Sequence, residues 1–491
     1  MTENQPADLH VAVSESAQWN ILSQFLRQAL LFGSQVVLAR LLFPRDYGVF
    51  ALCVAVTLFC SHISDVGFAA AVVQRSVLTP RLASGAFWGN LQIGILTSAV
   101  VIASAPLLAI LLREPALVAP LRALALLIPL QSATSIHRAL MIRSFAFTRL
   151  AVIDIVAVSV SSAAAIIWAI EFHNVWSLVA AQIAATVCTS AGLIIAYRWH
   201  PQFSPRWSHT RPLVPFVSGK LTYESITYWA RTLDNLLIGR LFGLSTLGLY
   251  SRAFALVQRP AAQLQEGLGG AVLSAFAKAQ HDTARLARGY RQLVGPVTVL
   301  GFPVLAFAII VAPDIVALLY GNRWIAVTPY ARIFLLAAAL QLVMIMMGWL
   351  IEALGETRIL LLAGVIFSVG NMSGFAVAAA LHSSVGYSWS YVGSTIAATI
   401  FEAAWLRQRL NIPIISMFAP VARPVIVAIL VASASADGVA LMGVGDHALR
   451  TIVAVGIAVP TYLLAVRLIA PKEGKQLFSA VRMRRQAVEH P

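Results

Sequence analysis

The residues of this chain that could do chemistry are charged side chains set into apolar runs. In 213–241, Lys220, Glu224, Thr227, Arg231 and Asp234 interrupt a hydrophobic stretch. With Lys220 at 0° and 100° per residue, Glu224 falls at about 40°, Thr227 at about −20°, Arg231 at about 20° and Asp234 at about −40°. All five then share one arc of a helix. The next run, 247–276, repeats the arrangement. With Arg252 at 0°, Arg259 falls at about −20°, Gln263 at about 20° and Glu266 at about −40°. Arg27 lies with Gln24, Gln28 and Gln35 on a looser stripe, and His62 and Asp65 are spaced i, i+3.

Two readings fit this pattern. In the first, Arg27, Arg231, Arg252 and Arg259, with Lys220 towards the rim, line a hydrated cavity and bind an anion. Guanidinium keeps its charge in every setting, and its planar fork matches phosphate oxygens. In the second, the cations pair with neighbouring acids, Arg231 with Asp234 and Arg259 with Glu266, and fix helix packing. Asp65, Glu224, Asp234 and Glu266 are candidates for a coupling ion, and Asp154 is a further intramembrane acid. Either way, a charge at a helix centre costs on the order of 2.5–3.5 kcal/mol in a bilayer. These groups should therefore face protein or water.

No enzyme motif accompanies them. The chain has no Walker A sequence, no HExxH and no GxSxG, and the GLGG at 267–270 follows a helical run where a dinucleotide site needs a strand. Cys53, Cys60 and Cys188 lack metal-ligand spacing and read as apolar packing residues. No cofactor and no metal are expected.

The elements that must carry these charges are membrane helices. The chain has 491 residues, 59% hydrophobic and 11% charged, with mean hydropathy +0.81. Soluble domains carry about 25% charged residues. About fourteen windows reach the roughly 20 apolar residues a spanning helix needs. They cover 17–42, 47–74, 84–112, 116–141, 149–170, 175–198, 213–241, 247–276, 287–312, 325–352, 357–381, 386–410, 417–440 and 447–469. Long continuous runs exclude a barrel of alternating strands. Residues 1–16 lack Lys and Arg and the first run exceeds a signal-peptide core, so that helix is expected to be retained as a span.

The net charge of +15 is a topology signal and does not point to nucleic acid. With an even number of spans the termini share a side, and the basic loops and tail lie there, Arg75, Arg143, Arg198, Arg285, Arg288 and Arg407 among them. The opposite loops hold Arg45, Arg113 and Arg323. Both termini are therefore expected in the cytoplasm, with a basic tail able to meet anionic lipid.

The chain also repeats itself. ARLLFPRDYGVF (39–50) returns as GRLFGLSTLGLY (239–250), and DVGFAAAVV (65–73) as QEGLGGAVL (265–273), both at offset 200. TPRLASG (79–85) matches TARLARG (283–289) at 204, APLLAILL (105–112) matches APDIVALL (312–319) at 207, and Arg122 and Gln131 match Arg332 and Gln341 at 210. A slowly growing offset is what short loop insertions produce. The expected organisation is an N-lobe at 1–198, a Pro-rich basic linker at 199–212 and a C-lobe at 213–410. Two added helices at 411–470 and a basic cytoplasmic tail at 471–491 complete it. Six helices per lobe make the repeats parallel, an arrangement in which transporters hold substrate at the repeat interface. GAFWG (85–89), GRLFG (239–243) and GNMSG (370–374) read as close helix packing.

WNILSQFLRQALLFGSQVVLARLLFPRDYGVFAL with SDVGFAAAVVQR, and later YWARTLDNLLIGRLFGLSTLGLYSRAFALVQRP with LLYGNRW, resemble bacterial polysaccharide-export flippases. These are Wzx/WzxC-like proteins of the polysaccharide transporter family in the multidrug/oligosaccharidyl-lipid/polysaccharide (MOP) exporter superfamily. The resemblance covers roughly residues 17–410. It implies an all-α polytopic fold of about fourteen helices, two six-helix lobes in a V shape (MOP/MATE-like), and alternating access through a cationic cavity. The implied substrate is a polyprenyl-diphosphate-linked oligosaccharide, moved across the bacterial inner membrane for exopolysaccharide, capsule or O-antigen assembly. The implied partners are that lipid, the bilayer and a polysaccharide polymerase or export machine. Arg231 and Arg252 are the positions carried over first. An ion-coupled drug or metabolite antiporter and a peptidoglycan-precursor flippase share the fold and stay open. Short outer loops and the repeat weigh against a membrane glycan polymerase or acyltransferase.

Overall fold

The computed structural model describes residues 24, 26–65, 68–75, 78–202, 225, 228–229, 232–280, 282–410, 413–443 and 445–475, without the side chains of 62–65, 259, 263–268 and 271. The described residues fold as helices. α1 covers residues 26–41, followed by α2 Pro44–Asp65, α3 Phe68–Gln74, α4 Pro80–Leu112, α5 Val118–Ala125, α6 Leu127–Arg143, α7 Phe147–Phe172 and α8 Trp176–Ala196. α9 covers residues 232–242. Then come α10 Leu244–Ala277, α11 Thr283–Tyr320, α12 Thr328–Ala353, α13 Thr357–Ala380, α14 Ser384–Leu410, α15 Ile414–Met442 and α16 His447–Ile469.

Ten of these segments are long and apolar enough to cross a bilayer. Two further expected spans, α10 and α14, are long helices carrying more polar residues. The remaining two, at 17–42 and 213–241, lie partly outside the described residues. On α4, Ile95, Leu96, Val100, Leu107, Ile110 and Leu111 all point outward. Exposed apolar surface on this scale belongs in hydrocarbon, where a helix is the segment that satisfies its own backbone. The chain is a multi-pass membrane protein.

Local chemistry sets the helix ends. Thr79 caps α4 by accepting a hydrogen bond from the Leu82 backbone N–H at 3.2 Å, with Pro80 in the first turn, where a missing N–H costs nothing. Asp282 caps α11 in the same way through the Arg285 N–H at 2.9 Å. Arg143 donates to the carbonyl oxygens of Val72 (3.3 Å) and Arg75, satisfying the end of α3.

The chain divides into two compact units, Met1–Gly248 and Leu249–Pro491. In the first, α4 packs on α2 and α6, and α6 and α7 on α8. Its buried Asn90 donates to the Ser132 carbonyl (2.8 Å) and the Ser135 hydroxyl (2.6 Å). In the second, α11 packs on α12, α15 and α16, and α14 on α12 and α13. The GNMSG of α13 lies against Ser390 and Ser394 of α14, so a Cβ on Gly374 would collide with Ser390. His447 at the start of α16 is bonded to Asp314 of α11 at 2.6 Å.

Matched residues of the repeat do matched work. Arg122 donates from Nε to the carbonyl of Ile102 at 3.3 Å, and Arg332 to that of Ile309 at 3.0 Å. Gln131 of α6 donates to Thr186 of α8 at 3.2 Å, and Gln341 of α12 to Tyr391 of α14 at 3.1 Å. Within the first unit the repeated phrase also meets itself. A Cβ on Gly48 would strike the carbonyl oxygen of Leu244, and one on Gly248 that of Pro44. The contact is reciprocal, with each glycine facing the counterpart of its own neighbour four residues back.

Candidate anion site

The clearest charged constellation among the described residues lies in the first unit. Asp154 on α7 takes both arms of the Arg138 guanidinium from α6, at 3.1 and 2.8 Å. Arg27 on α1 reaches the same carboxylate at 3.5 Å. Asp154 side-chain exposure is 19%, against 40% for Arg27 and 39% for Arg138. The acid is largely covered while both cations keep an open face. Arg138 sits about 7 Å inside the Arg143 end of α6, and Asp154 about 10 Å inside the Phe147 end of α7, at 1.5 Å per residue. The short link 144–146 folds α6 and α7 back on each other, which brings the two residues level.

Two guanidiniums thus share one carboxylate, and each carries five N–H donors suited to anions. The bidentate Arg138–Asp154 pair holds one fork in place. Deeper along α6, Ser61 donates to Gln131 at 2.9 Å, Gln131 to Thr186, and Thr134 shares a hydrogen bond with Ser190 at 3.1 Å. These polar groups suit hydroxyl-bearing ligands.

Several of the expected site residues cannot be placed. Lys220, Glu224 and Arg231 lie outside the described residues, as do the side chains of His62, Asp65, Arg259 and Glu266 on α2 and α10. Arg252 is half-buried on α10, and α10 continues as helix through Pro260. Asp234 on α9 is half-buried and accepts from the Asn235 N–H at 2.7 Å. Cys53 is buried, and no group of His, Cys, Asp or Glu among the described residues could hold a metal ion. Arg27 was expected in a cavity and is found sharing an acid. Arg138 is not among the residues expected at the site. A signal for it existed, because Arg138 and Asp154 stand at similar distances on either side of a tight helix-hairpin turn and carry opposite charge.

Residues 37–329 match the profile of a family described as polysaccharide biosynthesis protein. The chain belongs to this family. The succinoglycan biosynthesis transport protein ExoT of Rhizobium meliloti is 24% identical over 86% of this chain and 85% of its own length. The lipopolysaccharide biosynthesis protein WzxC of Escherichia coli is 22% identical over 66% of each chain. The fold is that of the lipid II flippase MurJ in an inward closed conformation, with a TM-score of 0.72 at 12% identity over 93% of this chain and 99% of that one. The Wzx/WzxC-like resemblance and the all-α, MOP/MATE-like fold class therefore hold. Members of the family are polysaccharide transporters.

Proposed function

We propose that this protein is a flippase that moves polyprenyl-diphosphate-linked oligosaccharides across the bacterial inner membrane for exopolysaccharide, capsule or O-antigen assembly. The observation that carries the reading is the Arg27–Asp154–Arg138 cluster, two guanidiniums gathered on one carboxylate within the helices of a polysaccharide biosynthesis protein. A diphosphate cannot enter hydrocarbon bare, because an unpaired ion costs tens of kcal/mol there by Born solvation. A guanidinium path removes that barrier while the polyprenyl tail stays in lipid. Arg252, Arg231, Arg259 and Lys220 are the further cations of this reading, and Asp65, Glu224, Asp234 and Glu266 its candidates for a coupling ion.

In this reading both termini face the cytoplasm. About fourteen spans form lobes at 1–198 and 213–410 joined by the 199–212 linker, with 411–470 as an addition and 471–491 as a tail. The protein performs alternating access and makes or breaks no bond of its substrate. A polymerase or export machine consumes the delivered unit.

The test is complementation of a deletion strain. Arg27→Ala, Arg138→Ala and Arg252→Ala should each abolish surface or secreted polysaccharide, with membrane levels of the protein unchanged. Normal polysaccharide in all three removes the site. Altered drug susceptibility with intact polysaccharide transfers the function to an antiporter.

A further inference from the structure

In the second unit, Glu402 on α14 is buried at 4% exposure, next in sequence to Ala403 of an apolar cluster that includes Leu350, Leu406 and Met417. Its Oε2 has no hydrogen-bond partner among the described residues, and no described cation pairs with it. Tyr290 of α11 belongs to the same cluster at 3% exposure, and its hydroxyl is likewise without a partner. Glu402 lies near enough to Tyr290 for the two to interact electrostatically. A bare carboxylate cannot persist in such a place without binding something positive.

The surroundings say what it binds. One carboxyl and one phenol among Leu, Met and Ala do not make the six or more oxygen ligands that a hard metal cation prefers. A proton needs one oxygen. A narrow cavity of about 10 Å³, enough for one water, is lined by Tyr290, Arg291, Leu406 and Ser416. Leu406 lies one helical turn from Glu402, and the cavity sits where α14 ends and α15 begins, the end that carries Arg407 and Arg409.

Arg291 opens on the same cavity, and Glu352, Arg358 and Asp437 are exposed. Arg423 pairs with Glu473 at 3.4 Å, and Asp314 with His447. Tyr290 is buried in the apolar cluster beside Glu402 and lines the cavity with Leu406.

We propose that Glu402 is a proton-binding site, reached past Tyr290 from the basic end of the second unit, and that its loading and unloading drive the transport cycle. The carboxylate takes one proton from hydronium and later returns it to water. No other bond changes. The driving role rests on the flippase reading above, whereas the protonation itself does not.

The test uses the full chain in nanodiscs. Difference infrared spectroscopy at neutral pH should show the stretch of a protonated carboxyl that shifts in D2O, disappears in Glu402→Gln and changes frequency in Tyr290→Phe. In cells, Glu402→Gln should lower exported polysaccharide by roughly tenfold or more at equal protein level, because one charge crossing about 100 mV biases an equilibrium roughly fiftyfold. Glu402→Asp, which still titrates, should keep part of the output. A spectrum unchanged by Glu402→Gln overturns the site. A lost band with wild-type export in Glu402→Gln overturns the driving role. Normal export in the Arg27 and Arg138 variants would sink the cationic-path reading separately, leaving the infrared result to decide Glu402.

Discussion

Asp154 and Glu402 are both acids set into the helices of an apolar chain, and they keep opposite company. Asp154, in the first unit, is shared by two guanidiniums and stays partly exposed. Glu402, in the second, is buried with a tyrosine and no cation. Around them the two units use the same parts. Arg122 and Arg332 hold equivalent carbonyls, and Gln131 and Gln341 reach across to α8 and α14. The matched framework therefore carries two unlike electrostatic solutions, an acid shared by guanidiniums in one unit and a buried acid without a cation in the other.

The comparison breaks most violently at the glycines. Gly48→Ala and Gly248→Ala each drive a methyl group into a backbone carbonyl that has no rotamer to escape into. Each should cost about 3 kcal/mol, the upper range for overpacking, and lower the thermal midpoint of the detergent-solubilised protein. Because the contact is reciprocal, the double variant should cost clearly less than the sum, since the first methyl already forces the backbones apart. Additive costs would mean that the two glycines pack independently and that the repeated phrase has no shared contact.

Much of this framework was legible in the sequence because it is written in Arg, Gly and Gln anchors that recur in order. The offset of 207 that pairs APLLAILL with APDIVALL also carries Ile102 onto Ile309, the two carbonyls that Arg122 and Arg332 hold. The close packing expected of GNMSG is found at Ser390 and Ser394. The charges were harder to read. An arc on one helix says that residues share a face, but not which helix that face meets. Arg27 was thus read as a cavity residue without Arg138 and Asp154 beside it. Glu402 stands close to Arg407 and Arg409 in sequence, so it looks like one more charge near a helix end. Only packing against α11 and α12 distinguishes it. The stripe from Lys220 to Arg231 lies outside the described residues, and its part in the site stays a proposal.

Conservative amides sharpen the contrast between the two acids. Asp154→Asn removes the carboxylate that Arg27 and Arg138 share. Both cations are well exposed and solvent-screened, so the cost should be about 1–2 kcal/mol, below that of a fully buried pair, and high salt should relieve part of it. Glu402→Gln removes no ion pair and keeps the volume, so its thermal midpoint should stay within about 1 °C of wild type, corresponding to under about 0.5 kcal/mol. A large loss in Glu402→Gln with none in Asp154→Asn would invert the assignment of paired and unpaired acids.

The smallest expected effects test the shared scaffold itself. Arg122→Ala and Arg332→Ala each delete one charge-assisted hydrogen bond to a main-chain carbonyl, at 3.3 and 3.0 Å. Both side chains are exposed, so water can take over the carbonyl, and each loss should be about 0.5–1 kcal/mol. The two should agree within about 0.5 kcal/mol and add in the double variant, because distant sites without shared partners behave independently. Neither arginine belongs to the anion cluster, so polysaccharide output should fall no further than the amount of folded protein does. A loss of output at normal protein level in one variant alone would show that the matched bonds differ in function, and that divergence between the copies reaches the framework as well as the charges.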